Sequence, residues 1–140
     1  EGMVFVRILV DTNIIIAALI KESRTREVIL SNQFEFISPD FVLDEIYKYK
    51  QYILQKSEIS SEEFEQLLWI IFQRIYLVSV EEYEKDYETA LTIMVEDKKD
   101  IPYVACYFAL HCDYIWTNDS DFLDKSELKI ITTNKLFSLL

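Results

Sequence analysis

The sequence predicts an α/β fold, a three-layer α/β/α sandwich with a central parallel five-stranded sheet. Short apolar runs of strand length alternate with longer segments whose apolar residues recur at helical spacing, and this alternation is typical of parallel sheets. The first run, Ile-Leu-Val at residues 8–10, is uninterrupted, as expected of a strand that is buried on both faces. Hydrophobic residues make up 51% of the 140 residues, which suits one domain with one core.

Local signals along the chain predict the individual elements. Strands are predicted at residues 7–10, 34–37, 76–80, 114–117 and 129–132. Helices are predicted at residues 14–20, 25–31, 39–54, 61–75, 83–94 and 100–111, and a short helix closes the chain. Ser38 and Pro39 are expected to be the N-cap and first position of the third helix. Ser60 and Glu63 have the spacing of a capping box at the start of the fourth.

The chain is expected to form a single domain over residues 3–140. It contains no linker, repeat or low-complexity tract, and Glu1 and Gly2 are expected to be a cloning remnant before Met3. No apolar run reaches the length of a membrane span, and no signal peptide opens the sequence. Two cysteines do not make a disulfide framework, so a reducing, cytoplasmic setting is expected.

Composition excludes several kinds of nucleotide-binding site. Gly2 is the only glycine, which removes the glycine-dependent loops that hold phosphates, including the P-loop and the dinucleotide fingerprint. The formal net charge of −11 argues against a protein that grips nucleic acid by a broad basic face. Binding through metal ions or through a small basic patch is still compatible with this charge.

Acidic residues stand at the points where predicted strands end. Asp11 follows the first strand, Asp119 and Asp121 follow the fourth, and Asp100 opens a helix that is apolar almost all round. Each of these aspartates alone is also explained as a helix N-cap, because Asp is among the best capping residues. Ligands of α/β folds collect at the carboxyl ends of the strands, so the same positions also favour a binding site.

Glu45 is the acid that fits its surroundings least. It lies within a predicted apolar face of the third helix, whose other members are Phe41, Val42, Ile46, Tyr49, Tyr52 and Ile53. A glutamate that points into a core needs a partner or a metal ion, whereas one at the rim of the face reaches water or a lysine. If the acids converge, their repulsion requires a cation, and Mg²⁺ or Mn²⁺ suits carboxylate ligands. Such a cluster would support two-metal hydrolysis of phosphodiester bonds.

Four short motifs resemble those of the PIN-domain family, especially the VapC-like ribonuclease toxins and their archaeal relatives. They are VDTNI at residues 10–14, SPDFVLDEI at 38–46, DIPYVA at 100–105 and WTNDSDF at 116–122, in the family's order and spacing. The resemblance implies a catalytic tetrad that binds Mg²⁺ or Mn²⁺, formed by Asp11, Glu45, Asp100 and Asp119. It also implies that Asp121 supports the metal site. Further polar residues are expected to orient the ligands or bound water, namely Thr12, Asn13, Asp97, Thr117 and Asn118.

By the same resemblance, the protein is expected to cleave single-stranded RNA, leaving a 5′-phosphate and a 3′-hydroxyl, and to form a homodimer. An antitoxin protein is an expected partner if the chain is the toxin of a toxin–antitoxin pair. Two alternatives stay open: an RNA-processing nuclease outside such a pair, and a catalytically weak PIN fold that binds nucleic acid or acts as a scaffold. A receiver or aspartyl-phosphate phosphatase domain is disfavoured, because no aspartate ends the third strand and the first carries no DxD motif.

Two further groups of residues are candidates for contacts with partners. Lys98 and Lys99 lie near the predicted site and are candidates for binding RNA phosphates. A second basic group after the first helix, formed by Lys21, Arg24 and Arg26, is also explained as ordinary solvent-facing charge. The wide apolar face around residues 64–75, including Trp69 and Phe72, is expected either to be buried or to meet a dimer mate or antitoxin.

Overall fold

The computed structural model describes residues 5–140, and the expected cloning remnant with Met3 lies outside that range. Five strands form one sheet in the order β3-β2-β1-β4-β5, and each neighbouring pair is parallel. The strands are β1 (Arg7–Val10), β2 (Glu35–Pro39), β3 (Ile75–Val78), β4 (Tyr114–Trp116) and β5 (Ile130–Ile131). The predicted α/β fold with a central parallel five-stranded sheet is confirmed.

Helices connect the strands, as parallel neighbours require. They are α1 (Thr12–Ile20), α2 (Arg24–Leu30), α3 (Val42–Lys48), α4 (Lys50–Ser57), α5 (Ser61–Phe72), α6 (Val80–Tyr83), α7 (Tyr87–Ile93), α8 (Ile101–Ala109), α9 (Ser120–Leu123) and α10 (Thr133–Ser138). Short 3-10 turns at Glu84–Asp86 and Lys98–Asp100 precede α7 and α8. None of the helices described is long and apolar enough to cross a membrane.

The core lies on both faces of the central strand. Ile8, Leu9 and Val10 of β1 are at most 1% exposed, and seven of the nine residues of α8 are buried. Burial of an aliphatic side chain of this size contributes about 1.5–3 kcal/mol. The ends of β1 and α8, where Asp11 and Asp100 stand, are therefore attached to the most firmly packed part of the fold.

The predicted start of the third helix is wrong. Ser38 and Pro39 belong to β2, where they pair with Leu77 and Val78 of β3, and α3 begins only at Val42. The pairing of β2 with β1 stops at residue 37, so the missing backbone N–H of Pro39 removes no bond to β1. The Ser38 hydroxyl donates to the carbonyl of Val10 at 3.1 Å and caps no helix.

The single helix predicted over residues 39–54 is interrupted at Tyr49, where the backbone has φ −99° and ψ 12°. Ile46 and Ile53, on either side of this interruption, are fully buried, whereas Tyr49 and Tyr52 are each 49% exposed. The prediction that these two tyrosines belong to the buried face is therefore wrong. They instead form part of the surface beside α1.

Two capping boxes set the ends of elements around β3. The predicted box at Ser60 is confirmed, since Ser60 and Glu63 exchange backbone and side-chain hydrogen bonds at the start of α5. A second box, between Ser79 and Glu82, begins α6, so the third strand ends at Val78 and not at residue 80 as predicted. On α5 the inner side chains are buried, whereas Trp69 on the outer face is 66% exposed.

Candidate active site

The candidate site lies where β1 and β4 end side by side in the middle of the sheet. The chain runs from β1 to β2 and β3 on one side, while β4 and β5 lie on the other, so a crevice opens between the two strand ends. The backbone N–H of Asp11, directly after β1, donates to the carbonyl of Trp116 at the end of β4 at 3.2 Å. This bond fixes the residues that follow the two strands next to one another.

Asp11 is not used as a helix cap, although it occupies the N-cap position of α1. Its side chain makes no capping hydrogen bond, and its Oδ2 instead accepts from the Thr117 hydroxyl at 2.7 Å. The residue is only 6% exposed. Burial raises the pKa of Asp11 and the charge of Asp119 raises it further, while the bond from Thr117 and weaker contacts with the backbone N–H groups of Thr12 and Asn13 oppose both effects. The main partner of this carboxylate is therefore Thr117 and not a backbone N–H of α1.

Asp100 has the most unusual environment of the acids. It precedes α8 without capping it, is 6% exposed, and its buried Oδ2 has no hydrogen-bond partner among the described residues. The pKa of Asp100 is raised to about 7, chiefly by burial and then by the charge of Asp11, while Lys99 lowers it. A buried carboxylate oxygen without a partner costs free energy unless a proton or a cation satisfies it.

Glu45 reaches inward from α3 and is held by two hydroxyls. Its Oε1 accepts from Thr12 at 2.8 Å and from Tyr103 at 2.7 Å, and these two hydroxyls also contact each other. Tyr103, on α8, is a member of the site that the sequence analysis missed. The available signal was its position three residues after Asp100 on a buried helix, because a buried tyrosine hydroxyl usually finds a polar partner.

The four acids expected to form the tetrad line one small cavity. Its volume is about 120 Å³, and it is lined by Asp11, Thr12, Asn13, Glu45, Tyr49, Lys99, Asp100, Tyr103 and Asp119. A water molecule takes up about 30 Å³ in the liquid, so this space suits ions and a few waters and is too small for a nucleoside. The structure thus brings the expected tetrad together, while its role in metal binding and catalysis stays a prediction.

Asp119 and Asp121 differ in what they contact. Asp119 is the cap of α9, since its Oδ1 accepts from the backbone N–H of Asp121 at 2.9 Å. The carboxylate of Asp121 lies instead beside those of Asp97 and Asp100, and one oxygen from each of these three falls within 4.8 Å of the others. The pKa of Asp121 is raised, first by the charge of Asp119. Asp100 therefore belongs to two adjoining groups of carboxylates.

The polar residues beside the acids have unequal contacts. Thr117 is fully buried and connects two acids, because its Oγ1 donates to Asp11 and accepts from the backbone N–H of Asp119 at 3.0 Å. Asn118 turns towards α10, where it exchanges two hydrogen bonds with Thr133. Asn13 is exposed at the mouth of the cavity. An orienting role has direct geometric support for Thr117 and Thr12, and stays a prediction for Asn13 and Asn118.

The basic residues after α1 are engaged in local structure. Arg26 donates to the carbonyls of Ala18 and Leu19 at 2.7 and 3.4 Å, which satisfies the end of α1. The guanidinium of Arg24 lies 4.7 Å from the ring centroid of Phe137. Lys99 is the basic side chain that lines the acidic cavity among the residues described, so its selection as a candidate for phosphate contact has structural support.

The site fits a hard divalent cation. Several carboxylates line the cavity together with Asp100, whose buried Oδ2 accepts no hydrogen bond from a described residue. Among the described residues, Lys99 is the cationic side chain that lines the cavity. Hard cations such as Mg²⁺ and Mn²⁺ take oxygen ligands and reduce repulsion between acids. Cys106 and Cys112 are free thiols packed on or within the core, away from the lining of this cavity.

Comparisons with known proteins agree with the fold and with the family that the motifs resemble. No curated protein sequence matches the chain significantly. The fold is similar to a chain in the crystal structure of VapBC2 from Rickettsia felis bound to a DNA fragment from their promoter. The TM-score is 0.63 and the identity 20%, over 90% of this chain and 98% of that one, so this likeness concerns the fold alone. The PIN domain family matches residues 9–138, nearly the whole sequence, and the chain therefore belongs to the PIN-domain family.

Proposed function

We propose that the protein is a Mg²⁺- or Mn²⁺-dependent endoribonuclease that hydrolyses phosphodiester bonds in single-stranded RNA. Membership of the PIN-domain family supports a nuclease role, because PIN domains are generally nucleases. The observation that carries the proposal is the buried Oδ2 of Asp100, which has no described partner and adjoins the other acids. A divalent ion would satisfy that oxygen and offset the mutual repulsion of the carboxylates.

Each acid has its own place in the proposed site. Thr117 contacts the carboxylate of Asp11 and the backbone of Asp119. Asp100 has a buried oxygen without a described partner, and its carboxylate lies beside that of Asp121. Glu45 keeps one oxygen on the hydroxyls of Thr12 and Tyr103, which leaves Oε2 for an ion or its bound water. Bound divalent ions would supply an activated water and stabilise the leaving oxygen during hydrolysis.

The two adjoining groups of acids suit two ions that share Asp100. One group lines the cavity with Glu45, and the other joins Asp100 to Asp97 and Asp121. Two divalent ions would also offset four of the negative charges in a chain of net charge −11. With both ions bound, the acidic site would be close to neutral, so RNA, itself a polyanion, would meet much less local repulsion there.

A cleavage assay tests the proposal directly. We expect the purified chain to cut single-stranded RNA in Mn²⁺ or Mg²⁺, to stop in EDTA, and to leave 5′-phosphate and 3′-hydroxyl ends. Asp11→Asn and Asp100→Asn should each lower kcat at least 100-fold while the fold, followed by circular dichroism, is retained. Asp44→Asn is the matched control, because Asp44 is an exposed aspartate next to Glu45 in sequence and should leave cleavage unchanged. Equal cleavage by all variants would contradict the assignment.

We further propose a toxin role with an antitoxin partner, which the fold shared with a chain of a VapBC complex supports. The exposed indole of Trp69 on α5 is a candidate contact for that partner or for a second copy in a homodimer. Expression of the chain should arrest growth, whereas expression of Asp100→Asn should not. If the chain cleaves RNA but does not arrest growth, the RNA-processing alternative is favoured. If it binds RNA without cleaving it, the alternative of a catalytically weak binding or scaffold module is favoured. Light scattering after gel filtration measures the molar mass in solution and so tests whether the chain forms a homodimer.

A further inference from the structure

We infer that a groove beside the acidic cavity binds an unpaired base of the RNA strand by stacking against Tyr49 and Tyr52. Such binding places the adjoining phosphodiester bond at the acids. The inference rests on the proposed ribonuclease function and adds to it a site that selects an unpaired, accessible base.

The groove lies beside the acidic cavity and meets it. Its lining residues come from α1 and from the junction of α3 with α4, namely Asn13, Ile16, Ala17, Ile20, Tyr49 and Tyr52. Asn13 and Tyr49 also line the acidic cavity, so the two spaces meet at these side chains. The groove has a volume of about 340 Å³, within the range of small-molecule sites, whereas the acidic cavity at about 120 Å³ holds no base.

Both tyrosines at and after the helix interruption are exposed to solvent. The apolar pattern of this segment predicts a buried face, yet each of the two rings is 49% exposed, while Ile53 on the same helix is fully buried. Aromatic rings that flank an apolar floor provide the surface on which single-stranded bases stack. Ile16 supplies part of that floor, being 8% exposed.

Stacking of a base in the groove is compatible with the acidic charge of the chain. A chain of net charge −11 gains little from long-range attraction of RNA, whereas stacking on an aromatic face does not depend on net charge. Lys56 Nζ lies 6.0 Å from the ring centroid of Tyr52, so one cation lies next to a ring that lines the groove. Asn13 lines both the groove and the acidic cavity and provides polar groups where the two meet. An apolar floor with an amide on the side of the acids and a cation beside one ring suits a base joined to phosphates.

The test pairs changes in the protein with changes in the RNA. The full chain is assayed in Mn²⁺ on single-stranded oligoribonucleotides that carry one abasic residue at successive positions around the cleaved bond. Stacking on one base corresponds to about 1–3 kcal/mol, so we expect one abasic position to lower kcat/KM by about 5- to 150-fold. The double variant Tyr49→Leu with Tyr52→Leu should lower kcat/KM on intact RNA by a similar factor, and the abasic residue should then add no further loss.

Two further variants separate stacking from other effects. The double variant Tyr49→Phe with Tyr52→Phe keeps both aromatic faces and should recover most of the kcat/KM that the leucine variant loses. Tyr87→Leu is the matched control, because Tyr87 is 41% exposed on α7 and lines neither the groove nor the acidic cavity. Melting temperatures within 2–3 °C of wild type, a shift worth about 1 kcal/mol at this size, confirm that the variants are folded.

The outcomes distinguish this inference from the proposed function. If the leucine variant cleaves intact RNA with the wild-type kcat/KM, the base site is wrong. The base site is also wrong if the abasic residue still lowers kcat/KM in the leucine variant. Either result leaves the proposed ribonuclease function unaffected. If the chain cleaves no RNA, fluorescence anisotropy with a labelled oligoribonucleotide in Mg²⁺ decides. Affinity that falls at least fivefold in the leucine variant supports the base site without the activity, and unchanged affinity overturns it. A change in oligomeric mass with unchanged RNA kinetics would assign the groove to a second copy and also overturn it.

Discussion

Replacing Asp100 by asparagine should make the metal-free protein more stable. In the folded protein this carboxylate is 6% exposed, one of its oxygens lacks a described partner, and its pKa is raised to about 7 from an ordinary value of 3.8. The charged form is therefore less favourable in the folded chain than in the unfolded chain at neutral pH. Asparagine is a neutral side chain of nearly the same shape as aspartate, so the substitution removes the charge and little else.

The size of the effect follows from the pKa. Each unit of pKa corresponds to about 1.4 kcal/mol, so a rise from 3.8 to about 7 sets an upper limit of about 4 kcal/mol. Part of the rise comes from the charges of Asp11 and Asp119, which solvent and counterions at the cavity mouth screen. About half the limit, roughly 2 kcal/mol, is the expected gain. For a chain of this length that gain raises the melting temperature by about 6 °C.

Thermal unfolding at pH 7.5 in EDTA and in Mn²⁺ measures the effect and its reversal. Asp100→Asn should melt above wild type in EDTA, whereas wild type alone should gain substantially from Mn²⁺, by about 2.7 kcal/mol when the ion is present at 100 times its Kd. Asp44→Asn controls for a general effect of removing one negative charge, and should behave like wild type in both buffers. A lower melting temperature for Asp100→Asn in EDTA, or an equal response of both proteins to Mn²⁺, would refute the reasoning.

Three further predictions concern the hydrogen bonds and the protonation of the site. Tyr103→Phe removes the hydroxyl that donates to Glu45, so urea unfolding should show a loss of about 1 kcal/mol, and kinetics should show a lower kcat with KM for RNA unchanged. Thr117→Val removes the donor that lowers the pKa of Asp11, so calorimetry should show Mn²⁺ affinity reduced about tenfold, equivalent to about 1.4 kcal/mol. The stability of metal-free wild type relative to Asp100→Asn should fall as pH rises from about 4 to 7 and then stay constant. The reason is that the unfolded chain loses the proton of Asp100 near pH 3.8 and the folded chain only near pH 7. Thermal unfolding measured across this pH range at matched ionic strength checks the trend.

The strands were predictable because their signal is local and strong. Uninterrupted apolar runs such as residues 8–10 fit only the middle of the fold, and the observed β1 has the predicted bounds. The start of the third helix was not predictable in the same way, since Ser38 and Pro39 carry the local signals of a helix start. Their pairing with β3, a segment far away in sequence, overrides those signals.

The acids of the site were predictable from their places at strand and helix ends, but the contacts that each carboxylate makes were not. Which of Asp119 and Asp121 caps α9 depends on the backbone geometry of a four-residue helix, and the cap proves to be Asp119. The contacts of Tyr103 join α8 to α1 and α3, so no local pattern reveals them. Arg26 looks like free surface charge in the sequence because its partners are backbone carbonyls eight and seven residues away.

The most direct test of the proposed metal site is diffraction from crystals soaked in Mn²⁺, with anomalous data collected at the manganese edge. We predict an anomalous peak within ligand distance, roughly 2.0–2.6 Å, of the Asp100 carboxylate and of at least one of Asp11, Asp119 and Asp121. The peak should vanish in crystals of Asp100→Asn soaked in the same way and persist in Asp44→Asn. A wild-type map with no peak among these acids, at a Mn²⁺ concentration that supports RNA cleavage, would contradict the metal-dependent site.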